Sequence, residues 1–113
     1  MQSLRVVGRL FPEILSGEKR ATIRWREITI VPGFMRYIHD GDAGRTAIVY
    51  VTKCARLPLS QAASYLGREE DWSRDVMLSG MREHYPGINW DDEVQIVEHL
   101  SPAETAKRAD FPG

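Results

Sequence analysis

The sequence predicts an α+β fold: a curved antiparallel sheet or small barrel of about five to six strands, with two to three helices. Period-two alternation of apolar residues recurs near residues 20–31, 45–57 and 93–99, which is the spacing of half-buried strands. Helix start and stop signals are gathered between Pro58 and Gly87 instead of alternating with the strands. At 113 residues and 42% hydrophobic, the chain suits one compact domain over residues 1–100. The polar, Ala-rich end bracketed by prolines, residues 101–113, reads as a loosely held tail.

Taken in order, "SLRVVGRLF" is a first strand, rich in β-branched residues. "FPEILSGEK" is a short helix, with Pro12 early and Gly17 as its stop. From Arg20, period two sets Ala21, Ile23 and Trp25 on one face and Arg20, Thr22, Arg24 and Arg26 on the other. "EITIV" extends this strand to the break at Pro32-Gly33. "FMRYIH" is a further short strand, "DGDAG" a turn, and "RTAIVYVTKCARLPL" the longest strand. Ser60 and Gly67 bracket one helix; Asp71 caps a second, which Pro86-Gly87 ends. "DEVQIVEHL" closes the sheet.

Composition narrows the function. No stretch approaches the roughly 18 apolar residues of a membrane span, so no membrane partner is expected. The N-terminus shows no basic region followed by an apolar one, against a secretory signal. A single cysteine, Cys54, has no internal disulfide partner, and a cytoplasmic setting follows as the expectation. His39, His84 and His99 lack metal-ligand spacing and read as surface or edge residues, so no metal or other cofactor is expected. Net charge is −1, but residues 1–56 carry about +5 and residues 57–113 about −6. A local anion-binding face in the first half and mutual neutralisation of the halves both fit that split.

Two constellations carry chemistry. In "SGEKRATIRWRE", Thr22 and Arg24 share a strand face, and a turn or bulge after Gly17 brings the Lys19 ammonium alongside Thr22. A hydroxyl beside an amine is a route to an activated nucleophile, and an arginine gives charge-assisted hydrogen bonds to a carbonyl. The plainer reading is a solvated face. The second constellation is Glu69, Glu70 and Asp71 between the helices; if Asp71 caps, Glu69 or Glu70 is left for acid–base work. Trp72 and Trp90 are candidates to stack on a base, and Trp25 reads as core.

"ILSGEKRATIR", the "DGD" of Asp40 to Asp42 and the "YPG" of Tyr85 to Gly87 together resemble the ASCH family, small domains with a PUA-like β-barrel. The likeness covers residues 9–100, and its first motif is the most specific. Small bacterial members are amidohydrolases that remove the acyl group from N(4)-acetylcytidine with a Lys, a Thr and a Glu. The resemblance implies Lys19 as activating base, Thr22 as nucleophile and Glu70 (or adjacent Glu69) as acid/base. It implies Arg24, Glu69, Trp72 and Tyr85 around a nucleoside substrate, with no cofactor. Other members bind RNA or act as ribonucleases, so RNA is the second candidate partner. A modified-nucleoside binding domain without turnover is the third reading. The segment "WREITIVPGFMRYIH" is longer than the resemblance to the small amidohydrolases leads one to expect, and an extra hairpin-like excursion that reshapes the pocket is the expectation.

Overall fold

The computed structural model describes residues 1–113. Five strands form one sheet in the order β1-β3-β4-β5-β2: β1 Gln2–Val6, β2 Ala21–Arg24, β3 Gly33–His39, β4 Thr46–Pro58 and β5 Glu93–His99. β1 runs parallel to β3, and β3 antiparallel to β4. Four α-helices accompany them, one more than the upper expectation: α1 Phe11–Ser16, α2 Ala62–Tyr65, α3 Arg74–His84 and α4 Pro102–Ala106. The fold is α+β, as the sequence predicts.

The residues group into two compact units. The first comprises residues 1–22, 30–54 and 97–113. Its core is an aliphatic cluster of Leu4, Val6, Ile14, Ile30, Val49, Val51 and Val97 with Phe11, Met35 and Tyr37. In β4, Ala47, Val49 and Val51 point inward while Ile48 and Tyr50 remain half-buried, the pleat read from the sequence. Fully burying each such Val or Ile contributes about 1.5–3 kcal/mol. α1 has Pro12 in its first turn and ends where Gly17 turns left-handed at φ 85°, a conformation that suits a residue without Cβ. β1 ends sooner than expected, because Gly8–Leu10 wind into a turn of 3₁₀ helix.

The end of the chain carries the short helix α4. Ser101 and Glu104 form a capping box at the start of α4. Thr105 is fully buried, and its Oγ1 accepts from Tyr50 N at 2.9 Å. Beyond it, the Arg108 guanidinium lies 3.6 Å from the Tyr50 ring centroid, and Phe111 packs edge-on against Phe34.

The second unit comprises residues 23–29 and 55–96. Leu59, Ala62, Ala63, Met77, Ile88, Val94 and Ile96 form its core, with Ile23, Trp25, Trp72 and Trp90 packed around them. α3 is capped by Ser73, whose Oγ accepts from Val76 N at 3.3 Å. Asp71, the expected cap, instead pairs with Arg68 at 3.2 Å. The strand expected through "EITIV" stops at Arg24, since Arg26 adopts φ 56° and breaks the pleat.

Candidate functional site

In the first unit, Gly17 ends α1 and frees Lys19 from any regular element before β2 begins. Lys19 N donates to Glu13 O at 3.0 Å, which folds the chain back on the helix. The side chain then curls forward, and Nζ donates to Ala21 O at 2.7 Å. That carbonyl belongs to the peptide joining Ala21 to Thr22. The turn after Gly17 thus directs Lys19 Nζ to the backbone of β2, one residue before Thr22. Lys19 is half-buried, and Thr22, 5% exposed, is inside rather than on a solvated face. Arg20 points outward to Glu104 at 2.7 Å.

His99, read as an edge residue, is buried at 4% exposure. Its Nδ1 lies 2.8 Å from Leu100 O, an acceptor, so Nδ1 carries the proton and Nε2 is an acceptor. The Tyr37 hydroxyl, 2.8 Å away, donates to Nε2. Burial lowers the His99 pKa, and the positive charges of Lys19 and Arg20 lower it further, against the opposing Leu100 hydrogen bond. This neutral pair is a polar insert in the first unit that no motif foretold. Burial also pushes the Cys54 thiol up, keeping it a poor nucleophile.

The second unit carries the rest of the expected set. Glu69 and Glu70 are both exposed in the turn before α3. Glu69 lines a cleft of about 240 Å³ with Ser60, Ser64, Trp72, Arg74 and Trp90. That is smaller than the ~300–1,000 Å³ of drug-sized pockets. Arg24 is only 12% exposed in its side chain, and its Nη1 lies 3.3 Å from Glu27 Oε2. Tyr85, half-buried past the end of α3, donates its hydroxyl to the same Glu27 oxygen and meets Trp25 edge-on at 6.0 Å. Burial and the Glu27 hydrogen bond push Tyr85 up to about 12, with Arg24 opposing. Glu27 is the residue the sequence reading missed; its i,i+3 spacing from Arg24 was the available signal.

No group of three or more His, Cys, Asp and Glu side chains is placed to hold a metal ion. No helix is long and apolar enough to cross a membrane.

The architecture is an ASCH-like, PUA-like α+β fold. No protein-family model and no curated protein matches the chain; solved structures do. It is similar to the ASCH protein of Zymomonas mobilis, at 15% identity over 96% of this chain and 79% of that one, with TM-score 0.61. A tyrosine-to-phenylalanine mutant of that protein gives 14% identity over 88% and 68%, with TM-score 0.65. A protein of Enterococcus faecalis gives 13% over 94% and 76%, with TM-score 0.62.

Proposed function

We propose that this chain is an amidohydrolase that removes the acyl group from N(4)-acetylcytidine-type nucleosides by side-chain chemistry. The observation that carries the reading is the Lys19 ammonium nitrogen held 2.7 Å from the Ala21 carbonyl, at the peptide that leads into Thr22. In this reading Thr22 Oγ attacks the acyl carbonyl as Lys19, in its neutral form, takes the hydroxyl proton. The carbonyl oxygen becomes an oxyanion, and Arg24 is assigned to stabilise it. Glu70 in its acid form gives a proton to the exocyclic nitrogen as the C–N bond breaks, releasing cytidine and leaving an acyl-Thr22 ester. Water, losing a proton to the Glu70 carboxylate, adds to the ester, and Lys19 returns its proton to the Thr22 oxygen as that C–O bond breaks, releasing acetic acid. Glu69, Trp72 and Tyr85 are assigned to the substrate, and a cytoplasmic setting accompanies the proposal.

Turnover of N(4)-acetylcytidine in the presence of EDTA tests it. Activity that falls at least 10²-fold in Lys19→Ala and in Thr22→Ala supports it, a loss in the range expected for a catalytic acid, base or nucleophile. Undiminished activity in both contradicts it.

A second reading is a single-stranded RNA-binding domain, with or without ribonuclease activity. It is favoured by Arg26, Arg68 and Arg74, whose guanidinium carbons lie 4.3, 4.6 and 5.6 Å from the Trp25, Trp72 and Trp90 ring centroids. Arginine beside an aromatic face is a sequence-tolerant platform for bases. Affinity that falls steeply with salt supports this reading, and a flat dependence removes it. Binding of the acylated nucleoside with neither turnover nor RNA affinity would leave the third, a modified-nucleoside binding domain.

A further inference from the structure

Two donors of the second unit, Arg24 Nη1 and the Tyr85 hydroxyl, converge on one oxygen, Glu27 Oε2. An i,i+3 arginine–glutamate pair at a surface contributes little and implies nothing by itself. Tyr85 changes that, since it arrives from 58 residues away and selects the same oxygen. The donors are the better-enclosed partners: the Arg24 side chain is 12% exposed and that of Glu27 31%. The carboxylate therefore fills a seat made by others and remains open to solvent.

The segment that delivers it is strained. Arg26, between Trp25 and Glu27, is the one non-glycine residue with positive φ, at 56°. A side chain with Cβ disfavours that conformation, and its guanidinium is occupied over the Trp25 ring at 4.3 Å. Displacing Glu27 lets Arg26 relax, which offsets part of the lost contact.

We propose that Arg24 and Tyr85 form a two-donor binding site for a small carboxylate, which Glu27 of the same chain fills in the free protein. The donor set selects the ligand class. A guanidinium and a phenol offer only N–H and O–H toward the seat, so the guest must be an acceptor, and one converging cation matches a single negative charge. Glu27 itself shows that a planar carboxylate fits. The site shares Arg24 and Tyr85 with the amidohydrolase reading but requires neither Lys19 nor Thr22, so acetate binding and acyl turnover can fail separately.

Substituting the tethered carboxylate by a free one tests the proposal in the full-length chain. With tyrosines labelled at Cζ with ¹³C, the Tyr85 resonance is assigned by its loss in Tyr85→Phe. In Glu27→Ala this resonance leaves its wild-type position. Acetate at constant ionic strength then returns it, saturating with a dissociation constant of about 10 mM or tighter. The wild-type resonance stays fixed over the same range, because the tethered carboxylate competes at high effective concentration. Adding Arg24→Gln to Glu27→Ala weakens the acetate response at least about tenfold. No response of Glu27→Ala to acetate up to about 100 mM would overturn the proposal. So would an equal response to inorganic phosphate or to chloride.

Discussion

The Tyr85 hydroxyl and the Arg24 guanidinium share a single acceptor, Oε2 of Glu27, and so tie the end of β2 to the segment that follows α3. The tie has a pH signature. Tyr85 titrates near 12 in the folded chain against an ordinary value near 10. A raised folded pKa means that this contribution to stability is whole below pH 10 and is lost as pH rises through 12. Denaturant unfolding between pH 8 and 11 should show a decline in the wild type that is shallower in Tyr85→Phe. Identical slopes would count against the bond.

His99 gives the opposite window. Its folded pKa lies below the ordinary 6.5, so the native state binds fewer protons than the unfolded one in mildly acidic solution. Its stabilising contribution is complete above pH 6.5 and disappears as pH falls through the folded value. Tyr37→Phe removes the donor from His99 Nε2 in a buried site and should cost about 1–3 kcal/mol at pH 8. The measurement is the unfolding midpoint from pH 8 down to pH 5, in wild type and His99→Gln. A His99→Gln variant whose midpoint falls as steeply as the wild type would exclude the assignment.

The chain end meets β4 through Thr105. Thr105→Val removes the acceptor for the half-buried Tyr50 N–H while keeping the shape, and a loss of about 1 kcal/mol is expected. Truncation after Leu100 removes this acceptor together with the capping box and should lower the melting temperature further. Equal melting temperatures for the full and truncated chains would show residues 101–113 to be dispensable.

Gly8 marks a close approach within the first unit. A Cβ built there lies 2.6 Å from His39 Cε1, so Gly8→Ala must push the imidazole aside. His39 Nδ1 accepts from Gly41 N in the turn before β4, and displacing the ring disturbs that turn. A loss of about 1–3 kcal/mol is expected, as for overpacked sites. Relief in Gly8→Ala/His39→Ala is the check.

Strands and helix stops were legible where the signal is local. Alternation in β4 marks a surface half in water, and Gly17 and Gly67 sit at positive φ where the helical patterns end. Local rules failed where a competitor lay nearby or a partner lay far away. Asp71 and Ser73 both suit a cap, and Asp71 was taken by Arg68. Apolar alternation through Ile30 was overruled by the left-handed turn at Arg26, which no propensity of arginine suggests. The burial of His99 depends on Tyr37, 62 residues distant, as the role of Glu27 depends on Tyr85. In the candidate site, the juxtaposition of Lys19 Nζ with the Ala21 carbonyl is local, built within three residues.

That juxtaposition also carries the central claim. The most direct measurement is the rate of N(4)-acetylcytidine hydrolysis, with EDTA present, by wild type, Lys19→Ala, Thr22→Ala and Glu70→Gln, each first shown to be folded. The account predicts turnover by the wild type that falls at least 10²-fold in each of the three variants. A folded wild type that leaves the amide intact, or Lys19→Ala and Thr22→Ala proteins as fast as the wild type, would contradict it.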